Sequence, residues 1–150
     1  MTRAYYSTVF EQTANQLWAV IRDFGSYSWF TSEPVECYIE QGKSGKEVGA
    51  VRNVSFGDRH IRQRLLAHSD VDRFYTYEFC ESAPYPIRNY QATLRFTPIV
   101  DGNRTFVEWW ATFDCAANEE EHWTAFFNDS FANWLKSLRN HVLSTADDAI

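Results

Sequence analysis

The chain is 150 residues long, enough for one domain with a single hydrophobic core, so we expect residues 1–150 to fold as one unit. Its net charge of −6 argues against a nucleic-acid partner, which needs a concentrated basic face, and no apolar run is long enough to span a membrane. Aromatic residues make up 17% of the sequence, so their rings either fill a core or line a pocket for an apolar ligand.

The first elements predicted along the chain are a strand and a helix. Residues 3–10 are typical of a strand, and a helix then begins at Thr13, because Thr13 and Gln16 have the spacing of a capping box. Apolar residues recur at helical intervals until Gly25 ends the run. Residues 26–30 predict a second short helix that turns its last two aromatic side chains toward the core.

The rest of the chain predicts an antiparallel sheet followed by a long helix. This helix is expected from about residue 118 to 144 and carries one broad apolar stripe. Hairpin connections between the strands give an antiparallel sheet with one face covered by the helix, which is an α+β fold. The predicted strands span residues 35–40, 48–56, 59–68, 74–81, 88–99 and 104–114.

The sequence has none of the common motifs for metal binding, phosphate binding or serine hydrolysis. The sequence contains no GxGxxG, GxxxxGK, GxSxG or HExxH pattern, so we expect no metal and no cofactor. Its three cysteines, Cys37, Cys80 and Cys115, are widely spaced, which is typical of thiols in a reducing compartment. The first ten residues lack the features of a signal peptide, so we expect a cytoplasmic protein with no membrane partner.

Several segments, taken in order, resemble the START-like superfamily, which has the helix-grip fold and includes polyketide cyclases, birch-pollen allergens and plant abscisic-acid receptors. These segments are QLWAVIRDFGSYSWF, GAVRNVSF, RQRLLAHSDVDRFYTYEF, PIRNYQATLRFTP and TFVEWWATFD. The chain is most similar to the polyketide cyclase/dehydrase-like branch, over nearly its whole length. The resemblance implies a curved sheet of about seven strands wrapped around the C-terminal helix, with an elongated apolar cavity between them.

The resemblance also implies which side chains line that cavity. In this family the carboxylate of the V-E-x strand points into the cavity, which makes Glu108 a pocket residue. An unpaired buried carboxylate is costly, so an inward Glu108 needs a partner, and Arg52, Gln63 and the hydroxyl of Tyr90 are the candidates. Strand alternation and the helix stripe add the other expected lining residues: Val54, Phe56, Leu65, Tyr77, Phe79, Ala92, Leu94, Phe106, Trp110, Thr112, Phe126, Phe127, Ser130 and Trp134.

Two loops close the cavity in ligand-binding relatives, and the chain keeps one of them. SAPYPIRNY resembles the latch before the sixth strand, and Tyr85 within it is either a lid or a surface ring. The gate between the third and fourth strands is reduced to a Gly57-Asp58 hairpin, so we expect a more fixed mouth. Val35 stands where the receptors and plant alkaloid synthases carry a lysine.

Three functions remain open at this point. The first is binding of a small apolar, aromatic or polyketide- or lipid-like ligand in the cavity. The second is a cofactor-free cyclase or dehydratase in which Glu108, Arg52 and Tyr90 move protons or hold an oxyanion. The third is a structural or interaction domain whose cavity is filled by its own aromatic side chains. Outer-face aromatic residues, for which Tyr38, Trp109 and Phe113 are the candidates, would favour a homodimer.

Overall fold

The structure is a computed structural model that describes residues 1–31 and 35–148; the side chains of Phe56 and of residues 145–148 lie outside this description. Two α-helices, α1 (Ala14–Ile21) and α2 (Glu120–Asp148), and two short 3₁₀ turns (Glu40–Gly42 and Ala117–Glu119) accompany the strands. The strands are β1 (Thr2–Phe10), β2 (Glu36–Ile39), β3 (Val51–Phe56), β4 (Arg59–Ser69), β5 (Phe74–Phe79), β6 (Arg88–Ile99) and β7 (Arg104–Asp114).

The strands of the described ranges form one curved antiparallel sheet in the order β1-β7-β6-β5-β4-β3-β2. Register shifts interrupt the β4–β5 pairing at Leu65/Ala67 and the β6–β7 pairing at Arg88/Gln91, and such irregularities bend the strands in which they occur. The long helix α2 packs against the sheet. The predicted α+β helix-grip fold is therefore confirmed.

The predicted capping box begins α1. The Thr13 hydroxyl oxygen accepts a hydrogen bond from the Gln16 backbone N–H at 3.2 Å, and the Gln16 side-chain oxygen accepts one from the Thr13 N–H at 2.9 Å. Leu17, Trp18 and Ile21 lie on the buried face of the helix. These contacts hold α1 against β6.

The second short helix predicted over residues 26–30 is wrong, because this segment forms turns. The indole N–H of Trp29 donates to the Ser26 carbonyl at 2.9 Å, and the Ser137 hydroxyl of α2 donates to the Trp29 carbonyl at 2.7 Å. Side chains thus occupy carbonyls that a helix would pair with backbone N–H groups. The predicted direction of the rings is correct, since Trp29 is buried and Phe30 half-buried.

The two faces of β7 are reversed relative to the sequence prediction. Its buried side chains are Thr105, Val107, Trp109, Ala111 and Phe113, and the face toward solvent carries Phe106, Glu108, Trp110 and Thr112. This orientation of β7 has a physical reason, because the buried face carries no charged side chain and the Glu108 carboxylate remains in contact with water. Trp109 and Phe113 are therefore no outer-face contact for a homodimer, whereas Tyr38 is exposed as predicted.

Aromatic rings fill the space between β7 and α2. Trp109 stacks on Phe131 with ring centroids 5.1 Å apart and also contacts Trp29 and Trp134. Its indole N–H donates to the hydroxyl of Tyr77 at 3.3 Å. The apolar stripe predicted for the last helix is confirmed by its buried residues Phe127, Phe131, Leu135 and Leu138. This packed layer fills the space between the sheet and α2, and two of its rings, Trp29 and Trp134, also line the adjacent cavity.

Candidate functional site

A cavity of about 930 Å³ lies beside this aromatic layer. Its walls come from the turns at 27–31, from the inner faces of β4, β5 and β6, from the loop that precedes β6, and from the C-terminal half of α2. The aromatic side chains that line it are Tyr27, Trp29, Phe30, Tyr77, Phe79, Tyr85, Tyr90, Phe127 and Trp134. The walls are thus mainly ring faces and edges, as expected of a site for an apolar ligand.

The rings of the wall are held by one another. Tyr90 contacts Phe79 and Phe127, with centroids 4.9 and 5.2 Å apart, and Phe30 lies against Trp134 at 4.5 Å. Tyr85 packs on Phe127 at 5.8 Å. Because these contacts join five parts of the chain, the wall is a packed surface rather than a set of independent side chains.

A buried arginine lies behind the wall. Arg52 is 1% exposed; its Nε donates to the side-chain oxygen of Gln63 at 2.8 Å, and its Nη1 donates to the Phe24 carbonyl at 3.4 Å. The guanidinium carbon lies 4.0, 5.0 and 5.1 Å from the ring centroids of Phe24, Tyr27 and Tyr77. Among the residues described, no carboxylate lies within salt-bridge distance of Arg52, so ring faces and neutral oxygens stabilise its charge.

The tyrosines of the wall are protonated at neutral pH. Burial raises the pKa of Tyr77 to about 12 and raises the pKa of Tyr90 well above its ordinary value. Burial also raises the pKa of Tyr27, although the nearby charge of Arg52 acts in the opposite direction. These hydroxyls are therefore neutral hydrogen-bond donors rather than bases near pH 7.

The structure sorts the predicted lining residues into four groups. Those that line the cavity are Gln63, Tyr77, Phe79, Tyr90, Phe127 and Trp134. Those that are buried in the core but lie behind the wall are Arg52, Val54, Leu65, Ala92 and Leu94. Phe126 and Ser130 are half-buried on α2 away from the cavity, where the Ser130 hydroxyl donates to the Phe126 carbonyl at 2.8 Å. The side chain of Phe56 lies outside the described residues.

The fourth group is the outer face of β7, and it corrects the central prediction. Glu108, Phe106, Trp110 and Thr112 do not point into the cavity. The Glu108 carboxylate accepts a hydrogen bond from the Tyr5 hydroxyl of β1 at 2.6 Å, and this bond raises the pKa of Tyr5. Glu108 therefore has neither Arg52 nor Gln63 as its partner, and it cannot act on a molecule held in the cavity.

Several lining residues were not predicted from the sequence. Tyr27 and Phe30 belong to the segment predicted as a helix, whereas Tyr85, predicted as either a lid or a surface ring, lines the cavity. The C-terminal half of α2 adds a polar strip at helical spacing: Asn133, Lys136, Ser137, Asn140, His141 and Ser144. This spacing beside the apolar stripe was the available signal, because residues three or four apart share a helix face.

In the parts of the chain that the structure describes, no group of His, Cys, Asp and Glu side chains is arranged to hold a metal ion. Within the same ranges, no helix combines the length and the apolar character needed to cross a bilayer. The three cysteines are free thiols and half-buried.

Solved structures share this architecture. A protein from Nitrosospira multiformis is 26% identical, with 97% of this chain and 99% of that chain covered and a TM-score of 0.81. A protein from Bacillus thuringiensis is also 26% identical, with 95% and 99% covered and a TM-score of 0.79. XoxI from Bacillus cereus is 25% identical, with 97% and 99% covered and a TM-score of 0.79.

Comparison with curated proteins finds no match. The sequence profile of one family, described as polyketide cyclase / dehydrase and lipid transport, matches residues 1–143. That match spans nearly the whole chain and agrees with the helix-grip fold and with the resemblance of the sequence segments. The chain belongs to the polyketide cyclase / dehydrase and lipid transport family.

Proposed function

We propose that the protein binds a small apolar molecule with an aromatic, polyketide-like or lipid-like body in the cavity between the sheet and α2. The observation that carries this proposal is a space of about 930 Å³ walled by aromatic rings. Small-molecule sites in proteins occupy roughly 300–1,000 Å³ and are mostly apolar with a few polar groups. Family membership supports the same class of function but names no ligand.

The polar groups of the wall would orient such a ligand. The side-chain oxygen of Gln63 accepts a hydrogen bond from Arg52, so the Gln63 NH₂ group is the part of the side chain that can donate to a ligand. The hydroxyls of Tyr77 and Tyr90 are neutral donors. An apolar body against the rings and an oxygen toward these donors would satisfy both parts of the wall.

The other two hypotheses have less support. The proposed enzyme relied on Glu108 as acid or base, and Glu108 lies on the outer face of β7, where it is bound to Tyr5. A completely filled interior is disfavoured by the size of the cavity, although Trp29, Trp109 and Phe131 do fill the adjoining core. Binding is therefore the function that we propose.

The proposal is tested by fluorescence titration with two probes that share one ring system. Anilinonaphthalene sulfonate is anionic, and phenylnaphthylamine is the same skeleton without the sulfonate. We expect at least one probe to bind the wild-type protein with one-to-one stoichiometry. Asn140→Trp places an indole ring at the wall and should weaken this binding by about tenfold or more.

The matched control is Ala125→Trp, which adds the same ring to an exposed position of α2 that does not line the cavity. It should bind as the wild type does. The proposal is wrong if neither probe binds the folded wild-type protein. It is also wrong if the two tryptophan variants bind equally well, because the probe would then lie elsewhere.

A further inference from the structure

The charges around the cavity differ in sign from those of the whole protein. The chain has a net charge of −6, with 20 acidic and 14 basic side chains. The charged residues among the described lining are nevertheless basic, namely Arg59 from β4 and Lys136 from α2, and that lining includes no Asp or Glu. A positive cavity on an acidic protein favours a ligand of negative charge.

A second observation points in the same direction from the interior. Arg52 is buried and, within the described ranges, has no carboxylate partner in its surroundings. A buried charge is normally paired, and the rings of Phe24, Tyr27 and Tyr77 compensate for its lost hydration only in part. Among the described residues, the charge of Arg52 is thus met by rings and neutral oxygens and by no anion.

Gln63 connects this charge to the cavity. Its side-chain oxygen accepts the hydrogen bond from Arg52 Nε at 2.8 Å, while the residue itself lines the cavity. A guanidinium bound to the oxygen of an amide polarises that amide and strengthens its NH₂ group as a donor. Tyr77 touches Arg52 with its ring and also lines the cavity.

We propose that the ligand is an amphipathic organic acid whose apolar body lies against the aromatic wall and whose anionic oxygen is bound by Gln63 in front of Arg52. This inference rests on the proposed function and specifies its ligand class as a carboxylate, sulfonate or phenolate. Arg59 and Lys136 guide the anion to the mouth, where exposed charges affect the association rate more than the affinity.

The same two probes test this inference, because they differ only in the anionic group. Hydrophobicity alone favours phenylnaphthylamine, since the sulfonate must be dehydrated on binding. We expect the wild-type protein to prefer anilinonaphthalene sulfonate by about tenfold or more, the value of a hydrogen bond to a charged group. Equal binding, or tighter binding of the neutral probe, would overturn the inference and leave the proposed function standing.

The deciding variant is Gln63→Glu, which is nearly isosteric and gives Arg52 an ion-pair partner. It should abolish the preference for the anionic probe, measured as the ratio of the two dissociation constants, because the new carboxylate pairs with Arg52 and repels an anion. Gln91→Glu adds the same charge at an exposed position of β6 and should keep the wild-type preference.

Other outcomes are equally informative. If Gln63→Glu keeps the preference for the anion, the assignment to Gln63 and Arg52 is overturned. If Gln63→Glu weakens the binding of both probes by the same factor, Gln63 does not distinguish an anion from a neutral ligand, and the assignment is overturned as well. If neither probe binds the wild-type protein, the proposed function fails first and the inference fails with it.

Discussion

Arg52 keeps a full charge in the interior by surrounding it with rings. Each cation–π contact is worth about 0.5 to 2 kcal/mol, with the upper value for desolvated groups, and three rings lie within 5.1 Å of the guanidinium carbon. The hydrogen bonds to Gln63 and to the Phe24 carbonyl join β3 to β4 and to the segment that follows α1. The same residue thus organises the part of the core that lies behind the cavity wall.

Glu108 lies on the outer face of β7, away from the cavity, so its replacement should leave binding intact. The Glu108→Gln variant should lose less than about 1 kcal/mol of unfolding free energy, because its bond to Tyr5 lies at the surface, and should bind both probes as the wild type does. Its Tyr5 pKa should fall toward the ordinary value, since the carboxylate is what raises it. Urea denaturation, probe titration and the ultraviolet titration of tyrosine measure the three effects. A folded Glu108→Gln variant that no longer binds the probes would contradict the placement of Glu108 outside the binding site.

At the scale of the element, β7 places two adjacent tryptophans in opposite environments. Trp109 is buried among Trp29, Phe131 and Trp134, and its N–H is bound to Tyr77. Trp110 faces outward, stacked on Tyr5 with centroids 6.4 Å apart. The pairing of β1 with β7 fixes which of the two tryptophans faces outward, because Tyr5 lies opposite Trp110.

Replacement of each tryptophan by leucine tests the orientation of the strand. Trp109→Leu should lower the unfolding free energy by about 3 kcal/mol, since it leaves a cavity in the packed layer and removes the hydrogen bond from the indole N–H to the Tyr77 hydroxyl. Trp110→Leu should lower the unfolding free energy by about 0.5 kcal/mol, as expected of a surface position. Urea denaturation of both variants measures the difference. Equal costs would contradict the register of β7.

At the scale of the whole molecule, paired carboxylates join distant parts of the chain. Glu40, after β2, accepts hydrogen bonds from Arg62 Nε and Nη2 of β4, each at 2.7 Å, and from Asn53 at 3.1 Å. Asp70, after β4, is bound by Arg22 and by the indole N–H of Trp18 from α1. These bonds lower the pKa of Glu40 to about 2 and hold the pKa of Asp70 well below its usual range.

The sign of the pH dependence follows from these lowered pKa values. A carboxyl group with a depressed folded-state pKa stabilises the fold above its unfolded pKa, about 4 for Asp and Glu, and this stabilisation is lost as pH falls through the folded value. The contribution of Glu40 and Asp70 to the unfolding free energy should therefore be constant from pH 7 to about pH 5 and should fall between about pH 5 and pH 2.

Glu40→Gln isolates one of these contributions. It should lower the unfolding free energy at pH 7 by about 1 kcal/mol, the value of a well-formed but partly exposed ion pair, and the difference from the wild type should vanish near pH 2. Glu47→Gln, at an exposed position, is the control and should change neither. Denaturation at a series of pH values provides the measurement, and an acid slope that is unchanged in Glu40→Gln would contradict the assignment.

Local patterns in the sequence determined much of the fold. The bounds of β6 and β7, the capping box at Thr13 and the apolar stripe of α2 all follow from short-range rules, because turn residues, caps and periodicity act within a few positions. The inward sides of β4 to β6 were also predictable, since Gln63, Tyr77 and Tyr90 alternate with polar or charged outer residues.

Only the tertiary structure decided which face of β7 is buried and where the cavity lies. Alternation gives the period of a strand but not its phase, and both faces of RTFVEWWATFD are apolar enough to be buried. The phase depends on partners far along the chain: Tyr5 opposite Trp110 on one side and Phe131 against Trp109 on the other. The cavity likewise forms where residues 27–31, the loop before β6 and α2 meet, and contacts between such distant segments depend on packing rather than on local pattern.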